Sequence, residues 1–235
     1  RLKSDYAEAE SRLREALQIR RKLFGDSSAE VANTISSLVE TLWEMGEYAQ
    51  AEPLIREALQ NRRALYGKTH PDIARSLEDL GLNYFQQGKY EEAVSFLREA
   101  VAMRRKVHGP LHPALAQAMG NLSWALFTLG KTDEAEPLAR LTLSMNKQLY
   151  GDDHPETATA LNNLGYVTEA QGNLAEAEKA YREALAVNRK LLGESHPNIA
   201  LNLSNLAFVE YALGRRKEGI DLLRQSIEMS RRVLG

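Results

Sequence analysis

Four of the five histidines in this 235-residue chain stand at equivalent positions, because each is 42 residues from the next: His70, His112, His154 and His196. Imidazole is the commonest metal ligand in proteins. Successive copies should, however, lie one helix pair apart, whereas ligands of a shared zinc ion lie about 2 Å from it. Each histidine also precedes a proline in the pattern G-x-x-H-P. We therefore interpret them as turn residues and predict no metal site.

Acidic pairs are the other candidates for catalytic chemistry. Glu91–Glu92 and Asp152–Asp153 fall near predicted helix starts, where negative charge stabilises the positive end of the helix dipole. They are not placed as an acid and a base on opposite sides of a cleft. The sequence has no phosphate-binding glycine loop and no nucleophile elbow, and it contains no cysteine. We predict that the protein is not an enzyme and uses no cofactor.

The elements that position these residues follow a strict period of 42 residues. Glycines recur at that interval in two series, 25, 67, 109, 151, 193, 235 and 46, 88, 130, 172, 214. A fixed period of 20–50 residues is typical of a stacked repeat array. We divide residues 1–235 into a half repeat, 1–25, and five full repeats: 26–67, 68–109, 110–151, 152–193 and 194–235.

Each repeat is predicted to contain two helices. In residues 68–109, helix A is expected from Pro71 to Gln87 and helix B from Tyr90 to His108. The glycine before each repeat suits the left-handed position that ends a helix, and the proline suits the first helical turn. The small residues Ala51, Ala93, Ala135 and Ala177 should lie where the two helices approach most closely. The pattern predicts an all-α chain of about 11 helices.

Charge and hydropathy exclude several other classes of function. The chain has 30 basic and 32 acidic residues, so it lacks the basic field that attracts nucleic acid or anionic membranes. It has no apolar run of 18 residues and no signal-like start. The absence of cysteine suits a reducing compartment, and we expect a cytoplasmic location. The chain starts at Arg1 inside a repeat, so we expect it to be part of a longer protein.

The motif L-x-x-L-G, a glycine turn and then A-x-A-E resembles the tetratricopeptide repeat. L-N-N-L at 161–164, A-E-P-L at 51–54 and 135–138, and the G-x-x-H-P turn resemble the 42-residue variety found in kinesin light chains and many bacterial regulatory proteins. The resemblance covers the whole chain. It implies a right-handed α-solenoid of antiparallel helix pairs, in which the A helices line a concave, peptide-binding groove.

The residues on the outer face of each A helix follow from the 100° step per residue. Three repeats place an asparagine one turn before an aromatic residue, as in Asn163 and Tyr166. An amide can both donate to and accept from a peptide backbone, and aromatic side chains are common binding hot spots. The predicted peptide-binding residues are Asn121, Asn163, Asn205, Trp124, Tyr166, Phe208, Arg75, Gln117 and Thr159. The alternative is that the asparagines stabilise neighbouring helices while the aromatics pack between repeats.

Three functions agree with this sequence. The first is an adaptor that binds an extended segment of a protein partner. Arg75 is the one basic residue among the predicted peptide-binding residues, whereas the groove of kinesin light chains is basic. A preference for acidic cargo is therefore not expected. The second is a sensor array within a larger bacterial signalling protein. The third is a self-assembling scaffold, because terminal B helices should expose apolar surface and associate end to end.

Overall fold

The computed structural model describes the backbone of residues 2–234 and the side chains of residues 5–232. Within that range all regular secondary structure is α-helical, and the eleven helices confirm the all-α prediction. They are α1 (Leu2–Phe24), α2 (Ala29–Glu44), α3 (Tyr48–Tyr66), α4 (Pro71–Gln86), α5 (Tyr90–His108), α6 (Pro113–Thr128), α7 (Thr132–Tyr150), α8 (Pro155–Ala170), α9 (Leu174–Leu192), α10 (Pro197–Ala212) and α11 (Arg216–Leu234).

The repeated histidines start the A helices. In α4, the Nδ1 atom of His70 accepts a hydrogen bond from the backbone N–H of Asp72 at 3.2 Å. The same contact recurs at the other three histidines, between 3.1 and 3.2 Å. Ser28 occupies the equivalent position before α2, where its hydroxyl accepts from the N–H of Val31. A side chain that satisfies a free N–H at a helix start stabilises that helix, so the histidines act as N-caps.

The glycines that end the B helices have positive φ but do not adopt the left-handed helical conformation that the sequence suggested. Gly67 has φ 76° and ψ −138°, and Gly151 has φ 87° and ψ 179°. This region of backbone space is essentially restricted to glycine. The expectation that glycine suits this position is therefore right, while the left-handed helical conformation is not the one adopted.

The chain forms two compact units, residues Arg1–Pro110 and Leu111–Gly235. The first contains α1–α5 around a core that includes Ile35, Leu38 and Leu77. The second contains α6–α11, with Tyr181 and Leu203 in its core. The assignment of residues 1–235 to one continuous array remains a prediction.

Small residues allow the A and B helices to pack closely, as predicted. Ala51, Ala93, Ala135 and Ala177 are fully buried. The equivalent Gly219 leaves no room even for alanine, because a Cβ atom there would lie 2.8 Å from the carbonyl oxygen of Ala207. In α8, Gly165 makes space for the buried Tyr181 ring. The tight packing fixes how each A helix is rotated and therefore which side chains it exposes.

Candidate functional site

Helices α6, α8 and α10 lie side by side in the second unit. The rings of Trp124 in α6 and Tyr166 in α8 pack edge to face, with centroids 5.5 Å apart. The Nδ2 atom of Asn202 in α10 donates to Oδ1 of Asn162 in α8 at 2.6 Å. These contacts place the outward sides of three consecutive A helices on one continuous surface.

We call this surface the amide–aromatic face. Its rows follow the predicted helix phase, and none of the twelve positions carries a charged side chain. They are Gln117, Thr159 and Leu201; Asn121, Asn163 and Asn205; Trp124, Tyr166 and Phe208; and Thr128, Ala170 and Ala212. About a quarter of the whole chain is charged, so this uncharged surface differs from the chain average.

The first row is accessible to solvent throughout. Gln117, Thr159 and Leu201 are all exposed, and Leu201 retains 48% of its accessible surface. The hydroxyl of Thr159 donates to the backbone carbonyl of Pro155 at 3.0 Å. The hydroxyl oxygen therefore keeps its acceptor capacity for other partners.

The three asparagines do not have equal environments. Asn121 and Asn163 are partly exposed, whereas Asn205 is buried. The Nδ2 atom of Asn205 donates to the hydroxyl of Tyr166 at 2.9 Å. This bond joins α10 to α8. At Asn205 the side chain therefore links neighbouring helices, which is the alternative that the sequence left open.

The three aromatic residues also differ in how much of each side chain is exposed. Trp124 and Tyr166 are half-buried, and Phe127 packs beside Trp124 with centroids 5.2 Å apart. Phe208 remains 62% exposed. An exposed phenylalanine beside a packed aromatic cluster provides the largest apolar contact area on the amide–aromatic face.

Arg75 lies in α4, in the first unit. Its guanidinium donates to Glu40 in α2 at 2.8 Å. Asp79, one turn further along α4, occupies the position that holds asparagine in the three later repeats. Burial raises the pKa of Asp79 to about 6, although the positive charges of Arg75 and Arg62 oppose the shift.

Sequence reasoning missed a buried chain of amides behind the amide–aromatic face. Asn188 in α9 donates to Asn202 at 2.7 Å, and Asn202 in turn donates to Asn162. Asn202 is fully buried. A signal was available, because the position of Asn188 holds Arg62 and Arg104 in earlier repeats. A change from arginine to asparagine there indicates a shorter polar link.

An ionic cluster lies at the end of α10. The carboxylate of Glu210 is fully buried and accepts from the guanidinium groups of Arg182 in α9 and Arg215 before α11. Nearby, the buried hydroxyl of Tyr181 donates to Glu169 at 2.8 Å, and burial raises the pKa of Tyr181. These groups satisfy one another within the fold.

The described residues contain no group of three histidine, aspartate or glutamate side chains close enough to hold one metal ion. Among the described helices, none has the length and apolar character needed to cross a bilayer. The arrangement offers amides, hydroxyls and aromatic rings on an open surface, which is suited to binding a ligand by many weak contacts.

The repeat is that of a known family. The family model for the tetratricopeptide repeat matches residues 1–59, 30–106, 81–148, 140–190 and 156–232. The matches together span nearly the whole chain. No curated protein matches the sequence.

Solved structures share the fold. BtubC (BKLC) from P. vanneervenii is 21% identical with a TM-score of 0.84, over 98% of this chain and 92% of that one. A kinesin light chain-like protein of nearly identical TPR-like repeats from Podosopora anserina is 23% identical with a TM-score of 0.74, over 86% and 95%. The Rap conjugation gene regulator of plasmid pLS20, in complex with the Phr* peptide, is 19% identical with a TM-score of 0.64, over 87% and 55%. These similarities confirm the predicted α-solenoid of helix pairs and its likeness to kinesin light chain repeats.

Proposed function

Because this chain belongs to the tetratricopeptide repeat family, we propose that it binds an extended, uncharged segment of a protein partner on the amide–aromatic face. The tetratricopeptide fold is generally a non-catalytic scaffold for protein–protein interaction. The observation that carries the finer proposal is the row structure of α6, α8 and α10, which combines exposed amides and hydroxyls with Trp124, Tyr166 and Phe208 and has no charge at any of its twelve positions.

The chemistry of this face favours a peptide backbone as its ligand. Gln117 and Asn163 each offer a donor and an acceptor, as a peptide group requires. Contacts of this kind hold an extended chain without reading its charge. A charged ligand side chain would lose water here and find no opposite charge, which is unfavourable.

Phe208 is the proposed main apolar anchor. It is more exposed than Trp124 or Tyr166, and Leu201 on the same helix is also exposed. A partner segment with apolar side chains at alternating positions would bury these two residues while its backbone contacts the amides. The peptide complex of the Rap regulator, which shares this fold, supports a peptide as the class of ligand.

Peptides selected from a random library against this protein provide the test. We expect the enriched peptides to be uncharged and to carry apolar residues at alternating positions. Phe208→Ala should lower the affinity for such a peptide at least about tenfold, as truncation of a binding hot spot does. Asn163→Ala should lower it by about three- to tenfold, which corresponds to the loss of one hydrogen bond.

The matched control is Leu191→Ala, which truncates a 40% exposed apolar residue on α9, outside the amide–aromatic face. It should leave the affinity unchanged. Tyr166 is less suitable for this test, since its ring packs on Trp124 and its hydroxyl accepts from Asn205. If the selected peptides are rich in charge, or if Phe208→Ala and Asn163→Ala bind as tightly as the parent protein, the proposal is wrong.

A further inference from the structure

A second surface lies on the B helices of the same unit, where two ion pairs connect α7 to α9. Arg140 donates to Glu176 at 2.5 Å, and Lys147 lies 3.7 Å from Glu183. The pairs are seven residues apart on both helices, which corresponds to roughly 10 Å along the helix axis. We call the opening between the two ion pairs the α7–α9 window.

The floor of the α7–α9 window is apolar. It is formed by Leu143 of α7, Leu161 and Leu164 of α8, and Ala180 of α9, and it lies at the bottom of an open pocket of about 210 Å³. An engineered apolar cavity of about 150 Å³ is large enough to bind benzene. The α7–α9 window therefore has room for one leucine or phenylalanine side chain.

The cavity exists because of an alanine that is specific to this repeat. The position of Ala180 carries a large side chain in the other four full repeats: Leu54, Phe96, Leu138 and Leu222. The preceding position changes in the same repeat, since Lys179 replaces Pro53, Ser95, Pro137 and Asp221. The alanine at position 180 leaves the space for the pocket, and the lysine at position 179 adds a positive charge at its rim.

Lys179 is the rim cation that is not already neutralised. Arg140 is held by Glu136 and Glu176, and Lys147 lies between Asp152 and Glu183. No carboxylate of the described chain lies within ion-pair distance of Lys179. It is still close enough to Glu176 to help lower the pKa of that carboxyl, a shift caused mainly by Arg140.

We propose that the α7–α9 window binds an apolar side chain, of the size of leucine or phenylalanine, from a partner protein in which the next residue is acidic. The apolar side chain would cover Leu143, Leu161 and Leu164, and the carboxylate would pair with Lys179. This surface lies on the B helices and does not depend on the function proposed for the amide–aromatic face.

Blocked tetrapeptides and the intact protein with isotope-labelled leucine methyl groups provide the test. We expect acetyl-Gly-Phe-Asp-Gly-amide to shift the methyl signals of Leu143, Leu161 and Leu164, with a Kd on the order of 1 mM. Replacing the phenylalanine of the peptide by alanine should abolish the shifts, and replacing its aspartate by lysine should weaken binding at least threefold. A shift of the Leu201 signal instead would place the peptide on the amide–aromatic face and overturn the proposal.

Two protein variants test the site itself. Ala180→Leu restores the residue found at 54, 138 and 222, and it should abolish binding while the melting temperature stays equal or rises. Lys179→Asp, the residue at position 221, should weaken the aspartate peptide and strengthen the lysine peptide, each at least threefold. Lys217→Asp on α11 is the matched charge control and should bind both peptides like the parent protein.

Two results would contradict the inference. Unchanged methyl shifts in Ala180→Leu would show that the cavity is not the binding site. Equal affinities of Lys179→Asp for the two charged peptides would show that the acidic neighbour is not recognised. If Ala180→Leu melted at a lower temperature, the charge exchange at Lys179 would decide the question without it.

Discussion

Gly165 lies against the ring of Tyr181, and replacing it by alanine tests how the helices are packed. A Cβ atom at this position would lie 2.4 Å from Cε1 of Tyr181, 2.7 Å from Cδ1 and 2.8 Å from Cζ. Real Cβ atoms essentially never approach another carbon so closely. The ring of Tyr181 is fully buried, and its hydroxyl donates to Glu169. It cannot move away without losing that bond or compressing its neighbours.

Two opposing effects determine how much the stability changes. Inserting a methyl group into a well-packed core costs about 1–3 kcal/mol. Alanine is also the better helix former, which returns up to about 1 kcal/mol. Because three ring atoms are in conflict, we expect the packing cost to exceed the gain in helix propensity. Gly165→Ala should therefore lower the free energy of unfolding by about 1–2 kcal/mol.

Gly120 provides a matched control in α6. A Cβ atom there would meet one side-chain atom, Cγ2 of Thr142, at an ordinary distance of 3.7 Å. Gly120→Ala should therefore stabilise the protein by up to about 1 kcal/mol through helix propensity alone. The same glycine-to-alanine change is thus expected to have opposite signs at two helical positions of the same unit.

Urea denaturation followed by far-UV circular dichroism measures both variants against the parent chain. Repeat arrays can unfold in more than one step, so the midpoints of each transition should be compared at matched temperature. The packing argument is refuted if Gly165→Ala is as stable as the parent or more stable. In the double variant with Tyr181→Ala, the cost of Gly165→Ala should disappear, because the ring that conflicts with the methyl group is absent.

Two further variants test a partly buried carboxylate and a fully buried amide. Asp79→Asn should stabilise the protein at pH 8 by up to about 3 kcal/mol, because the pKa of Asp79 rises from 3.8 to about 6 on folding and the parent protein therefore loses stability as the pH increases through that range. Urea titrations should find a gain below about 1 kcal/mol at pH 4, and an equal gain at both pH values would contradict the burial argument. Asn202→Leu should lower the free energy of unfolding by about 1–3 kcal/mol, since it leaves Asn188 and Asn162 without their shared partner. Asn198→Leu, at an exposed position, is its control, and equal melting temperatures for the two variants would show that the buried amides contribute nothing.

The fold was predictable because one pattern occurs five times. The glycine series set the repeat length, and the proline and histidine before each A helix located its first turn. In residues 68–109 the predicted helices end within one residue of the observed ends, Gln86 and His108. The exposed row at Gln117, Thr159 and Leu201 also followed from helix phase alone, since the opposite side of each A helix had to be buried.

The differences between repeats were harder to predict, because they depend on pairs of residues far apart in the sequence. Asn205 has the same helix phase as Asn163, yet its amide bonds to Tyr166 of the preceding repeat. The packing of α9 shows the same problem. Ala180 looks like a conservative change in the sequence, but its consequence depends on Leu161 and Leu164, which line the resulting cavity.

The exposed row Gln117, Thr159 and Leu201 and the buried packing residues lie on different sides of the same helices, and this separation has a functional consequence. In α8, Gly165 contacts Tyr181 on one side, while Thr159 faces solvent on the other. Substitutions at exposed positions cost little stability, so this face can change its ligand without changing the fold. The α7–α9 window is different, because Ala180 belongs to the packed side. The proposed recognition there depends on the absence of a large, partly buried side chain, and restoring that side chain should exchange binding for stability.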